Sequence, residues 1–148
     1  MEFAPTIFQL MRQADNLSHE DLINSLHIEV NKTGILKNAV NKGGNGGSFF
    51  LFSADKRFII KSITHEEQDL LLKKLLPDLY CLPTTALISP IYGVFNIKIG
   101  RVDSITVMLL GSIIPPGSNI IGIFDIKGSE RDRTVQKVSP LTKRTMNS

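Results

Sequence analysis

The residues of this chain best suited to chemistry on an anion are a run of glycines and a lysine that follows it. The segment 43–48 reads Gly-Gly-Asn-Gly-Gly-Ser, and an apolar run and a polar turn separate it from Lys61. Glycine lets the backbone approach phosphate oxygens and turn its N–H groups toward them, while a lysine adds a full positive charge. The order predicts a nucleotide phosphate site, although such a cluster between strands is also typical of a flexible hairpin.

A carboxylate that could hold Lys61 is expected in the next element. The pattern predicts a helix that Thr64 caps, with two glutamates in its first turn, a leucine-rich apolar face and an end at Pro77. In protein kinases a glutamate of the helix after the lysine strand pairs with that lysine. Glu67 is the expected partner and Glu66 its rival, and both could equally be ordinary carboxylates at a helix start.

Several other kinds of site are not favoured. No Gly-Lys-Ser/Thr sequence follows the glycines, so a P-loop nucleotide hydrolase is not indicated. The chain has 3 histidines, which are scattered, and 1 cysteine, so neither a zinc site nor an internal disulfide is predicted. The cysteine content fits a reducing cytoplasm. No Ser-His-Asp or Cys-His arrangement stands out either.

Basic residues gather in the C-terminal part of a chain whose net charge is +3. Such a cluster attracts the phosphates of a lipid headgroup, a nucleotide or a nucleic acid. For Lys143 and Arg144 a solvated tail is the better interpretation. The basic residues beyond Gly122 are Lys127, Arg131, Arg133, Lys137, Lys143 and Arg144.

The apolar stretch 105–126 is about long enough to span a bilayer. The sequence Pro-Pro-Gly-Ser-Asn at 115–119 interrupts it, which favours two strands joined by a loop. We therefore expect no transmembrane segment, and the N-terminus lacks the pattern of a secretory signal.

The elements that must position these residues predict an α+β fold in one domain. Residues 1–27 read as two short helices, the second capped by Ser18 with Asp21 three residues on. From Ile28 to 135, short apolar runs between turn residues predict an antiparallel sheet, interrupted by the helix after Lys61, and a basic tail follows at 136–148. The predicted strands lie at 49–52, 58–60, 86–88, 93–99, 104–110 and 120–126.

Three motifs together resemble the phosphatidylinositol phosphate kinase family. They are Gly-x-x-Gly-Ser-x-Phe at 44–50, Asp-x-x-Phe-Ile-Ile-Lys at 55–61, and Phe-Asp-Ile-Lys-Gly-Ser at 124–129 with Arg-Thr at 133–134. The resemblance runs along most of the chain. It implies the N-terminal lobe of such a kinase, in which a kinase-like antiparallel sheet carries the nucleotide site.

The resemblance also implies roles for individual residues. Lys61 would contact the ATP phosphates and Glu67 would hold it. Lys127 and Arg133 would lie beside the inositol headgroup and the transferring phosphate, where both substrates bring negative charge. The matching residues of the nucleotide loop are Gly44, Gly47 and Ser48.

The implied reaction moves the γ-phosphate of ATP, with Mg²⁺, to an inositol hydroxyl of a phosphatidylinositol phosphate. It would take place at the cytoplasmic face of a membrane, and no nucleic-acid partner is expected. The family's catalytic aspartate, magnesium-binding aspartate and activation loop match nothing up to Ser148, so we expect this chain alone to be inactive and to lack the magnesium ligands.

Two alternatives stay open at the level of sequence. One is a catalytically inactive module that binds nucleotide or phosphoinositide and serves regulation. The other is a non-functional truncation with apolar surface left bare. The strand end Leu-Leu-Gly-Ser at 109–112 also departs from the family, where a methionine and asparagines are common, so contacts with the adenine edge are not predicted.

Overall fold

The computed structural model describes much of the chain in one compact unit, Met1–Ser118; the second unit is Asn119–Ser148. Of the predicted strand at 120–126 only Ile121 is described, and it is exposed and not in a strand. The predicted site residues Gly44, Gly47, Lys127 and Arg133 lie outside the described residues. The described residues are 1–32, 48–82, 88–98, 104–114, 117–119 and 121.

Within the described residues of the first unit, five antiparallel strands form a sheet in the order β1-β4-β5-β3-β2. Together with the helices it confirms the predicted α+β fold with a kinase-like lobe. The strands are β1 (Glu2–Phe3), β2 (Phe50–Phe52), β3 (Phe58–Ser62), β4 (Ile91–Ile97) and β5 (Ile105–Gly111).

The helical elements of the described residues come in two groups. The first group precedes β2 and the second follows β3 directly, as predicted. They are α1 (Pro5–Ala14), α2 (His19–Leu26), α3 (His65–Leu70), a π-helical turn (Leu71–Leu75) and α4 (Leu76–Tyr80).

The sheet does not begin at Ile28, which corrects the prediction. Residues 28–32 are helical, and the carbonyl of His27 accepts the N–H groups of Val30 and Asn31. Ile28 and Val30 are exposed. Their apolar character suggested a strand, but a strand needs a buried face and these two side chains have none.

The prediction that Pro77 ends the helix was also wrong. The helix passes through the π-helical turn and continues in α4 to Tyr80, with Pro77 in the first turn of α4. A proline is tolerated there because it follows the π-helical turn, where the regular pairing of each N–H with the carbonyl four residues back is already interrupted: the N–H of Leu76 donates to the carbonyl of Leu71. The wider turn leaves both Leu71 and Leu76 buried.

Strand limits differ from the predictions at β4. It begins at Ile91 rather than Gly93 and ends at Ile97, with a bulge in its pairing to β5 between Ile91 and Gly93. A bulge inserts an extra residue, which the period-two pattern does not reveal. Of the strand predicted at 86–88 only Ile88 is described, and it lies in an exposed bend.

Helices cover both faces of the sheet. On one face α1 and the helical segment after β3 pack on Val94 and Met108 around the buried Phe8. On the other face Leu17 and α2 pack on Phe58 and Leu109. Every helix of the described ranges is too short or too polar to cross a membrane.

Candidate functional site

Lys61 is next to last in β3, the strand between β5 and the edge strand β2. Its neighbours across the ladders are Phe50 on β2 and Met108 on β5. Residues opposite each other in an antiparallel pair point to the same face, so Lys61 shares the face of Met108, which the helices after β3 cover. The lysine side chain is 24% exposed, so the helices do not cover it completely.

The lysine forms an ion pair with Glu67 of α3. Lys61 Nζ lies 3.0 Å from Glu67 Oε1, and Glu67 Oε2 accepts the backbone N–H of Thr64 at 2.9 Å. The Thr64 hydroxyl in turn accepts the backbone N–H of Glu67 at 3.1 Å. This is a capping box, and it fixes the carboxylate that meets the lysine.

The same contacts keep Glu67 ionised. The N–H of Thr64 and then the Lys61 ammonium hold the pKa of Glu67 below its ordinary value. Glu66 also has a lowered pKa, caused by hydrogen bonds from its own N–H and from Thr64. Among the described ion pairs the lysine meets Glu67 and not Glu66, so the structure separates the two rivals that sequence left open.

An apolar shelf extends from Lys61 toward the sheet edge. We use this name for Phe50 and Phe52 on β2, Ile59 on β3 and Leu110 on β5, which share the lysine's face by register. Phe50 is 38% and Phe52 47% exposed. Exposed aromatic rings beside a cation suit a ligand that has both a planar ring and an anionic group.

The structure brings one residue of the predicted nucleotide loop to this strand. Ser48 is half-buried and precedes Phe49, whose backbone N–H donates to Ser62 Oγ at 2.9 Å. Ser62 follows Lys61 directly. The end of the glycine-containing segment therefore meets the strand that carries the lysine.

Sequence reasoning missed the shelf and the role of Ser62 in this contact. The two phenylalanines alternate along β2, but only the register of β2 on β3 places them beside Lys61. Ser62 follows the lysine in the motif, and its type gave no signal, because a serine in a strand is ordinarily solvated. No group of His, Cys, Asp and Glu side chains within the described ranges could hold a metal ion.

Comparison with known proteins gives the family. The family model described as Phosphatidylinositol-4-phosphate 5-Kinase matches residues 31–147. A phosphatidylinositol 4-phosphate 5-kinase of Schizosaccharomyces pombe is 34% identical over 143 residues, 94% of this chain and 18% of that protein. A type-1 beta phosphatidylinositol 4-phosphate 5-kinase of Mus musculus is 30% identical over 139 residues, 91% of this chain and 24% of that protein.

This chain thus spans a fifth to a quarter of the length of these relatives. The matched region includes β2, β3 and α3, and with them Lys61, Glu67 and the shelf. With more than half of its residues matched, the chain belongs to the phosphatidylinositol-4-phosphate 5-kinase family.

Proposed function

We propose that this chain forms the ATP-binding part of a phosphatidylinositol phosphate kinase. Such an enzyme transfers the γ-phosphate of ATP to an inositol hydroxyl of a phosphatidylinositol phosphate. The observation that carries the proposal is the Lys61–Glu67 ion pair on β3 and α3, since this pairing holds the phosphate-contacting lysine in protein kinases. The names of the relatives supply the substrate class.

In this proposal Lys61 neutralises charge on the ATP phosphates. Glu67 limits the positions of the lysine side chain, so less conformational freedom is lost when ATP binds. The apolar shelf takes the adenine ring, and the nucleotide loop with Gly44, Gly47 and Ser48 supplies N–H groups to the phosphates. Mg²⁺ would accompany ATP and neutralise phosphate charge, and we assign it no ligand among the described residues.

The lipid substrate is proposed to meet the basic residues Lys127 and Arg133. Support comes from their match to the family's motif and from the chemistry of the headgroup, whose phosphates suit a lysine and a bidentate arginine. This site would work at the cytoplasmic face of a membrane, with the protein bound at the surface.

Direct measurement of ATP binding to the 148-residue chain by calorimetry tests the nucleotide site. Lys61→Met keeps the length of the side chain and removes the charge. We expect about a tenfold or greater loss of affinity, since a hydrogen bond to a charged group contributes about 1.5–3 kcal/mol.

Lys73→Met is the matched control. Lys73 also forms an ion pair with a carboxylate of α3, Asp69, at 2.7 Å, but its side chain is 70% exposed and lies after the capping box. This variant should bind ATP like the parent. Equal affinity in the parent and Lys61→Met, or no binding in either, would contradict the proposal.

Flotation with liposomes tests the lipid site. Lys127→Ala with Arg133→Ala should weaken binding to phosphoinositide-containing vesicles, while vesicles of neutral lipid give the background. The control pair Lys143→Ala with Arg144→Ala removes the same charge from the expected tail. If both double variants lose binding equally, only net charge matters and the headgroup assignment is wrong.

A further inference from the structure

The β2–β3 hairpin is closed at both ends by a serine hydroxyl. At the turn end, Ser53 Oγ accepts the backbone N–H of Phe58 at 2.9 Å. At the open end, Ser62 Oγ accepts the backbone N–H of Phe49 at 2.9 Å. The two bonds have the same chemistry and length, but only the second joins residues next to Lys61 and Ser48.

At the open end the hydroxyl takes the place of a backbone carbonyl. The N–H of Ser62 donates to the carbonyl of Phe49 at 3.1 Å, and in a regular antiparallel pair the return bond would go from the N–H of Phe49 to the carbonyl of Ser62. Its acceptor here is Ser62 Oγ. A side chain therefore completes this pair of bonds, and a substitution can remove it without altering the backbone.

Ser62 also remains fixed from the other side of the strand. It pairs with Val107 on β5, and the following residue, Ile63, donates its N–H to the carbonyl of Thr106 at 3.0 Å. The hydroxyl thus stands on a strand held by the centre of the sheet, while its partner Phe49 lies next to Ser48.

We infer that Ser62 is a positioning residue for Ser48, the described residue of the nucleotide loop, an inference that rests on the proposed function. Its hydroxyl holds Phe49, and through Phe49 it fixes the backbone of Ser48 relative to Lys61. Successive side chains of a strand point to opposite faces, so Ser62 faces away from the lysine. It acts on the phosphates only through the backbone.

The test compares affinities for ATP and for adenosine, which has no phosphates. Ser62→Ala should weaken ATP binding about two- to tenfold, as expected for the loss of one neutral hydrogen bond. Its adenosine affinity should equal that of the parent. Ser53→Ala is the control at the turn end: it removes the equivalent bond, together with the bond that Ser53 Oγ donates to Asp55 Oδ1 at 2.6 Å, and should leave both affinities unchanged.

A second pair of variants separates the hydroxyl from packing and from folding. Ser62→Thr keeps the hydroxyl and Ser62→Val replaces it with a methyl group of similar size, and both residues favour strands. Ser62→Thr should bind ATP like the parent, and Ser62→Val like Ser62→Ala. Hydrogen exchange of the Phe49 amide should be slow in the parent and Ser62→Thr and faster in Ser62→Val.

The outcomes distinguish this inference from the proposed function. If Lys61→Met loses ATP binding but Ser62→Val and Ser62→Thr bind ATP equally, the role of Ser62 is overturned and the nucleotide site stands. Equal losses for ATP and adenosine in Ser62→Val would overturn it too, because they indicate general disruption. If the parent does not bind ATP, the proposed function fails and the inference fails with it.

Discussion

Two helices of this molecule begin with the same device and use it differently. At the start of α2, Ser18 Oγ accepts the N–H of Asp21 at 3.0 Å, and the Asp21 carboxylate accepts the N–H of Ser18 at 3.1 Å. At the start of α3, Thr64 and Glu67 make the equivalent pair of bonds. In both boxes the second carboxylate oxygen is left to meet a cation.

Both cations come from the region of β3, one from each end. Asp21 Oδ1 lies 3.2 Å from Arg57 Nη1, just before the strand, and Glu67 Oε1 lies 3.0 Å from Lys61 Nζ. The arginine side chain is 42% exposed and the lysine 24%. The Asp21–Arg57 pair lies on the protein surface, whereas the Glu67–Lys61 pair lies beside the apolar shelf.

Comparison of the capping boxes of α2 and α3 shows that a capping box does not itself make a functional site. Each box orients a carboxylate by contacts within four residues of sequence. The surroundings of the cation decide the rest. An exposed arginine adds little to stability, but a half-buried lysine next to an open apolar surface offers a charge to an anionic ligand.

The largest expected effect comes from the buried residue on the strand between the two cations. Phe58 is 2% exposed and packs edge-on against the ring of Tyr92 with centroids 5.9 Å apart. Phe58→Ala should lower the free energy of unfolding by about 3–5 kcal/mol, because it leaves a cavity beneath β3. Urea denaturation measures this loss, and Phe52→Ala, on the exposed shelf, should lose much less.

The next largest effects are expected from substitutions of the two N-cap residues, which should lower stability alike but differ in their effect on ATP binding. Ser18→Ala and Thr64→Ala should each lower the free energy of unfolding by about 1 kcal/mol, since each leaves an N–H of the first helical turn unpaired. Only Thr64→Ala should also weaken ATP binding, because the lost hydroxyl no longer accepts the backbone N–H of Glu67 and so loosens the first turn of α3, which carries the carboxylate that pairs with Lys61. Calorimetry measures ATP binding by both variants. Equal affinities would contradict the prediction that only the capping box of α3 supports ATP binding.

The pH dependence of stability tests the contribution of Glu67, the carboxylate of the α3 capping box. The pKa of Glu67 is lowered from 4.5, first by the Thr64 N–H and then by Lys61, so its contribution is present above 4.5 and is lost as the pH falls through the lowered folded value. Glu67→Gln should therefore give a shallower loss of stability below that pH. Thermal unfolding from neutral to acidic pH measures how steeply stability falls with pH. If Glu67→Gln and the parent lose stability equally steeply, the Glu67 carboxylate does not contribute to the pH dependence.

The smallest effect is expected at the exposed pair. A double-mutant cycle of Asp21→Asn and Arg57→Met should give a small coupling that disappears at about 1 M salt, where the Debye length is about 3 Å. The cycle of Glu67→Gln and Lys61→Met should keep more of its coupling because its lysine is less exposed. Urea denaturation measures the coupling energy in both cycles. If the two coupling energies decrease equally with salt, the Glu67–Lys61 pair does not differ from the exposed pair.

Much of the fold could be predicted from the sequence. The cap at Ser18 and the helix start at Thr64 are local signals, and both are confirmed. The hairpin that carries Lys61 followed from two apolar runs around a polar turn. The prediction that the sheet region starts at Ile28 was wrong because the apolar side chains of Ile28 and Val30 are exposed on a helical segment. The prediction that the helix ends at Pro77 was wrong because a π-helical turn precedes the proline.

The candidate site was predicted in part. The lysine and a neighbouring glutamate could be named, because the strand, the cap and the first helical turn follow each other within seven residues, 61–67. The choice of Glu67 over Glu66 needed the orientation of α3 on the sheet. The shelf and the Ser62 bond needed the register of β2 on β3, which a motif does not contain.

The sequence alone determined the two capping boxes and the order of strand, lysine and helix, because these depend on contacts between residues three or four apart. Only the tertiary structure decided which cation meets which carboxylate. Arg57 reaches Asp21 across 36 residues of chain, and Lys61 faces Glu67 because the sheet turns its side chain toward α3. Sheet register and helix packing arise from many contacts distant in sequence, so the pairing that makes a site appears only when the chain is folded.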